Sequence, residues 1–172
     1  MRNRTLIAII LIMSLLPFTS SAEPLAVGES APEVDVTTHL GETINMADLY
    51  AKGPVAIYFY PRSFTGGCTK QACNLRDNYS DLKAAGVTVV GVSNDPVDKQ
   101  KAFIDEYSLP FILIADKEKV LGPAFNVDGY LGKAYRRQTF LVVDGKIAWR
   151  DLTAKPNSQT EDILAALEAL KK

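Results

Sequence analysis

The sequence predicts an α/β fold: a mixed central sheet with helices on both faces. Three observations carry that reading. Strand-like and helix-like periodicities alternate along most of the chain, which favours parallel strands joined by helices. The apolar runs Val55–Tyr60 and Val87–Val92 show no polar alternation, as expected of strands covered on both sides. Near the end, Asp144-Gly145 sits between two strand-like runs, a strong hairpin signal that adds antiparallel strands. The 172 residues, 47% apolar and 23% charged, suit one globular domain with a packed core. No internal repeat, low-complexity tract or composition break divides the chain. The net charge of −1 and the lack of a basic block give no reason to expect a nucleic-acid partner.

Each element follows from local signals. Val34–Thr38 and Thr43–Asn45 can pair around the turn His39-Leu40-Gly41-Glu42. Met46–Tyr50 suits one helical turn, and Gly53-Pro54 punctuates the chain before the strand Val55–Tyr60. Cys68, Ala72, Leu75, Tyr79 and Leu82 recur at spacings of three and four, predicting one helix that Gly86 ends. The β-branched run Val87–Val92 is a central strand. Asp95 and Pro96 read as N-cap and first residue of a helix whose inner face is Phe103, Ile104 and Tyr107. Pro110 blocks that helix, Phe111–Ile114 is the next strand, and Lys119–Phe125 suits a short helix. Thr139–Val143 and Lys146–Trp149 form the hairpin. Ser158 and Glu161 predict a capping box for a last helix with the apolar stripe Ile163, Leu164, Leu167 and Leu170. This order is a thioredoxin-like arrangement.

Residues 1–22 read as an export leader, leaving 23–172 as the single mature domain. Arg2 and Arg4 give a positive start, and Leu6–Leu16 is apolar apart from Ser14. Ser20-Ser21-Ala22 offers small residues for cleavage before Glu23. The apolar core falls short of the ~20 residues that a membrane-spanning helix needs. An uncleaved N-terminal anchor is the alternative. No cysteine precedes Cys68, which excludes a lipid anchor on this leader.

The chemistry concentrates in Pro61–Cys73, PRSFTGGCTKQAC, which holds both cysteines of the chain. Cys68 falls at a strand-to-helix turn, where unpaired backbone N–H groups and the positive end of the helix dipole favour thiolate over thiol. Cys73 lies about 100° around the helix from Ala72, on the polar side with Arg76, Asp77 and Ser80. A structural disulfide, common in exported proteins, competes with a catalytic pair. Residues i and i+5 of a helix have Cα atoms roughly 8.7 Å apart by rise and radius, while a disulfide wants less than about 7 Å. Joining the two requires the helix start to unwind, which makes a poor staple and a plausible catalytic intermediate. His39, the only histidine, is expected to be a solvated turn residue, and one His with two Cys does not make a zinc site.

Tyr58-Phe59-Tyr60-Pro61, then Thr65, Gly67-Cys68-Thr69 and Cys73, resembles the peroxiredoxins, whose motif is Pro, three residues, Thr, two residues, Cys. The second cysteine five positions on is similar to the peroxiredoxin Q, or bacterioferritin comigratory protein, branch. The resemblance continues through Gly91-Val92-Ser93, Phe103–Phe111, Asp116, and Arg137 followed by Thr139-Phe140-Leu141, from about Val27 to Leu167. Gly66 stands where the branch usually has Pro, and Phe64 where it usually has a polar residue.

The resemblance implies a thiol peroxidase. Cys68 would attack the O–O bond and become a sulfenic acid, and Cys73 would condense with it to a disulfide. Thr65, Gly67 and Arg137 would hold the peroxide, with Pro61 closing the pocket against water. Thioredoxin or a thioredoxin-like protein would reduce the disulfide. No metal or cofactor is implied, and a resolving thiol in the same chain favours a monomer. With the leader, the expected location is outside the cytosol, in a bacterium the periplasm. The competing readings are an exported thiol–disulfide oxidoreductase, disfavoured by the four-residue spacing between the cysteines, and an exported binding module with a structural disulfide.

Overall fold

The computed structural model describes residues 23–130 and 133–171; the expected leader, 1–22, lies outside the described residues. In chain order the elements are β1 (Asp35–Thr37), β2 (Thr43–Asn45), α1 (Met46–Tyr50), β3 (Val55–Phe59), α2 (Gly66–Asp77), α3 (Tyr79–Ala84), β4 (Thr88–Ser93), α4 (Val97–Tyr107), β5 (Ile112–Ala115), α5 (Leu121–Ala124), β6 (Gly129–Tyr130), β7 (Ala134–Tyr135), β8 (Gln138–Val143), β9 (Lys146–Asp151) and α6 (Gln159–Ala169). The main sheet has the order β5-β4-β3-β8-β9. β3, β4 and β5 are parallel, and β8 and β9 run antiparallel to their neighbours.

β3 is the middle strand, and its alternation divides the core. Val55, Ile57 and Phe59 pack with Met46, Leu121, Phe125 and Phe140 on one face. Ala56, Tyr58 and Tyr60 pack with Cys68, Leu75, Phe103 and Ile163 on the other. Period-two side-chain direction thus supplies both layers from one unbroken apolar run. At the β8–β9 turn, Asp144 and Gly145 have φ of 51° and 71°, the left-handed pair that a two-residue hairpin needs. Both sheet edges are partly covered. Residues 28–31 bond along β9 through Gly28 N to Ile147 O (2.8 Å) and Ile147 N to Glu29 O (2.9 Å), and His39 N donates to Leu113 O of β5 (2.8 Å).

Five local expectations need correction. The predicted single helix breaks at Asn78 (φ −113°, ψ 20°), whose side-chain amide donates to the Asn74 carbonyl in place of a regular turn. Helix α4 starts one residue later than expected. Pro96 occupies the N-cap position, and Asp95 turns inward to other partners. The capping box at Ser158 does not form. Its ψ of 10° is not extended, and its hydroxyl donates to Asp162 instead. Leu170 of the predicted apolar stripe is exposed, beyond the buried Ile163 and Leu167. His39 is not simply solvated: its Nδ1 accepts from Leu113 N at 3.4 Å, and burial lowers its basicity below the usual imidazole value. The small β6–β7 hairpin had no sequence signal.

Candidate active site

The chain leaves β3 at Tyr60, turns through Pro61–Thr65 and enters α2. A buried polar cluster fixes this turn. Tyr60 Oη donates to Gln100 Oε1 (2.5 Å), and the Ser63 amide donates to Asp95 Oδ2 (2.7 Å). Ser93 Oγ donates to the same carboxylate oxygen (2.9 Å), and Gln100 Nε2 donates to Ser93 Oγ (3.0 Å) and the Ile114 carbonyl (2.9 Å). Burial pushes the Asp95 carboxyl up, but the bonds from Lys99, Ser63 and Ser93 outweigh it and hold Asp95 below the usual carboxylate range. Phe64 then takes a left-handed φ of 67°, which is costly for a bulky residue. Its half-exposed ring rests on Phe103 (5.1 Å between centroids) and Tyr107 (6.1 Å).

Thr65 is extended (φ −89°, ψ 148°) and occupies the N-cap position of α2 without capping it. Its exposed hydroxyl donates to the Arg62 carbonyl at 3.0 Å. The first i→i−4 bond of the helix is Thr69 N to Thr65 O (2.9 Å), so the amides of Gly66, Gly67 and Cys68 precede the helical ladder. Cys68 is the third residue of α2 and is 1% exposed. Cys73 lies on the same helix, half-buried, and both thiols are free.

Arg137 arrives from just before β8. Its Nη2 lies 3.3 Å from Cys68 Sγ, and its Nη1 donates to Gln71 Oε1 at 2.5 Å. The guanidinium is therefore gripped at one corner and offered to the sulfur at another. Gly67 makes room for it: a Cβ there would meet Arg137 Nη2 at 3.1 Å. A cavity of about 260 Å³, lined by Arg136, Arg137, Leu152, Thr153 and Ala154, opens beside this group. The structure thus brings Cys68, Gly67 and Arg137 together. It leaves Thr65 hydrogen-bonded to Arg62 rather than to the sulfur, and places half-buried Pro61 at the exit of β3.

Sequence reasoning missed two buried glutamines. Gln71 Nε2 donates to Gln159 Oε1 at 3.0 Å, and Thr139 Oγ1 donates to the same oxygen at 2.5 Å. Gln71 was recoverable, because a residue three after Cys68 shares its helix face; Gln159, 88 positions away along the chain, was not. Beneath α2 the Tyr58 hydroxyl is buried without a partner, and burial raises the phenol well above its usual value, keeping it neutral. Among the described residues, no cluster of three or more His, Cys, Asp or Glu could hold a metal.

A thioredoxin-like sheet that delivers a buried thiol to a helix start, against a permanent cation, defines a thiol-based redox enzyme. Residues 27–150 match the AhpC/TSA family, and the chain belongs to that family, the peroxiredoxins. It is 40% identical to Peroxiredoxin Bcp of Escherichia coli strain K12 over 131 residues, which span 72% of this chain and 83% of that one. Its structure is similar to that of the peroxidoxin BcpB of Mycobacterium tuberculosis, with a TM-score of 0.79 and 29% identity over 85% of this chain and 98% of that one. It is also similar to the Xanthomonas campestris bacterioferritin comigratory protein, whose structures concern its alkyl peroxide reduction activity. There the TM-score is 0.77, with 25% identity over 86% of this chain and 100% of that one.

Proposed function

We propose that this thiol peroxidase runs a two-cysteine cycle in which Cys68 attacks the peroxide and Cys73 resolves the product. The observation that carries the reading is the Arg137 guanidinium, 3.3 Å from a buried sulfur at the start of a helix. Attack forms an S–O bond and breaks the O–O bond. Negative charge passes from sulfur to the departing oxygen, which takes up a proton and leaves as water or alcohol. Arg137, with the amides at the start of α2, puts positive charge along that path without reorganising. Gly67 lets the guanidinium stay close. Thr65 helps to orient the peroxide, its hydroxyl proton already committed to Arg62, and Pro61 shields the pocket.

Cys68 is then a sulfenic acid. Cys73 attacks its sulfur, water leaves, and a disulfide remains. Both cysteines lie within α2, so this step unwinds the helix start. An external dithiol, thioredoxin or a thioredoxin-like protein, restores both thiols by exchange. The cavity beside Arg137 and the alkyl peroxide activity of the Xanthomonas protein support organic hydroperoxides as substrates alongside hydrogen peroxide.

The positive, apolar leader supports export, in a bacterium to the periplasm, with a reductant outside the cytosol. Among the described residues no helix is long and apolar enough to cross a membrane. An in-chain resolving thiol supports a monomer.

Single-turnover stopped-flow with hydrogen peroxide and mass mapping tests the assignment. Wild type should form the Cys68–Cys73 disulfide. Cys73→Ser should complete the first oxidation, then stall as sulfenic or over-oxidised Cys68, and Cys68→Ser should consume no peroxide. Peroxide consumption by Cys68→Ser at the wild-type rate would show that another group is the nucleophile.

A further inference from the structure

Gln159 opens α6, outside the stretch matched to the family, and is fully buried. Its side-chain oxygen receives two hydrogen bonds, from Gln71 Nε2 and Thr139 Oγ1, while its Nε2 has no partner. The bonds form a directed chain. Thr139 fixes the Gln159 oxygen, that oxygen draws the NH₂ end of Gln71 toward itself, and the other end of Gln71 faces Arg137 Nη1. The terminal torsion of a glutamine is broad and intrinsically two-fold. The donor-only Arg137 guanidinium and the Gln159 acceptor favour the same orientation of Gln71, and the two together hold its oxygen toward Arg137.

Position adds a second consequence. Asn74 also ties α2 to α6, through Asn157 O (3.0 Å) and Thr160 N (3.0 Å), but it lies beyond Cys73. Gln71 lies between the two cysteines, inside the segment that has to unwind before Cys73 reaches Cys68.

We infer that Gln159 is a positioning residue of the active site: through Gln71 it aims Arg137 at Cys68 in the reduced enzyme, and the same bond restrains the unwinding that precedes disulfide formation. This rests on Cys68 as nucleophile and Cys73 as resolving thiol. It gives one residue opposite effects on two successive steps. Loss of the Gln159 oxygen slows peroxide attack and speeds disulfide formation, so less Cys68 is over-oxidised at high peroxide.

Gln159→Leu, Gln159→Glu and Ile163→Ala are compared by stopped-flow of the full chain with hydrogen peroxide, with over-oxidation read by mass spectrometry. Gln159→Leu should attack about three- to tenfold more slowly, the scale of one lost buried hydrogen bond, and then form the disulfide faster than wild type. Gln159→Glu keeps an accepting oxygen in a site whose burial favours the uncharged carboxyl, so its attack rate should fall between those of Gln159→Leu and wild type. Ile163→Ala removes buried apolar volume from the same helix without touching the hydrogen-bond chain, so it sets the scale of a merely structural change in either step. Gln159→Leu with both rates at wild-type or Ile163→Ala levels overturns the inference, and so does Gln159→Glu as slow as Gln159→Leu. If Gln159→Leu does not fold, Thr139→Val, which removes the donor fixing the Gln159 oxygen, carries the test: slower attack supports the inference and a wild-type rate overturns it. Peroxide consumption by Cys68→Ser would overturn the underlying cysteine assignment instead, and the inference with it.

Discussion

Before Cys68, the turn from Pro61 to Thr65 is tied to β4 and α4 through Tyr60, Ser63, Asp95 and Gln100. After Cys68, the segment from Thr69 to Cys73 is tied to the rest of the fold by side-chain bonds of Gln71. Beyond Cys73, fixed structure resumes: Asn74 bonds to the start of α6, and Arg76 Nη1 donates to the Tyr107 carbonyl at 2.8 Å. The difference marks where the proposed cycle requires movement. A helix start between two anchored ends can open and close without disturbing the sheet, and local stability follows the number of such ties. In the proposed cycle, the anchored turn sets where the sulfur sits for attack, and the weakly held segment lets the second sulfur arrive.

The largest expected effect tests the attack side of this contrast. Arg137→Ala removes the charge facing the sulfur, and a charge-assisted hydrogen bond is worth roughly 1.5–3 kcal/mol. Peroxide attack should slow at least about tenfold, while disulfide formation from the sulfenic acid should not slow. An unchanged attack rate, measured by stopped-flow, would make Arg137 a bystander and erase the contrast at its functional end.

A smaller effect tests the anchored turn. Asp95→Asn should cost roughly 1–3 kcal/mol by weakening the hold on the Ser63 amide and losing the Lys99 ion pair. Because Asp95 titrates lower in the folded chain than when unfolded, its contribution is present above the unfolded carboxylate value near pH 4 and fades as pH falls through the folded value. Denaturant unfolding should therefore show the wild type and Asp95→Asn converging on acidification. A gap that stays constant from neutral pH down to about 2, below the ordinary carboxylate range, would mean the carboxylate charge does not hold the turn.

The fold was legible where one pattern had one physical solution. The unbroken run Val55–Tyr60 reads as a doubly covered strand, and Asp144-Gly145 between strand-like runs reads as a tight hairpin. The approach of Arg137 to Cys68 came from the family motif rather than from spacing. What escaped was set by tertiary partners. Asp95 has the chemistry of a helix cap, yet the buried Ser63 amide and Ser93 claim its carboxylate. Ser158 and Glu161 have capping-box spacing, yet the backbone at Ser158 does not aim the hydroxyl at the helix. Gln159 is a polar residue at a helix start like any other until β8 and α2 close over it.

Hydrogen exchange tests the contrast most directly, comparing the reduced chain with the Cys68–Cys73 disulfide form residue by residue. Amides that are helix-bonded in the reduced chain, from Thr69 to Cys73, should lose protection on oxidation. The Ser63 amide, bonded to Asp95, and the Tyr60 amide, bonded to Val92, should keep theirs. A disulfide form with Thr69 to Cys73 still fully protected, or with the turn opening as much as the helix, would contradict the account.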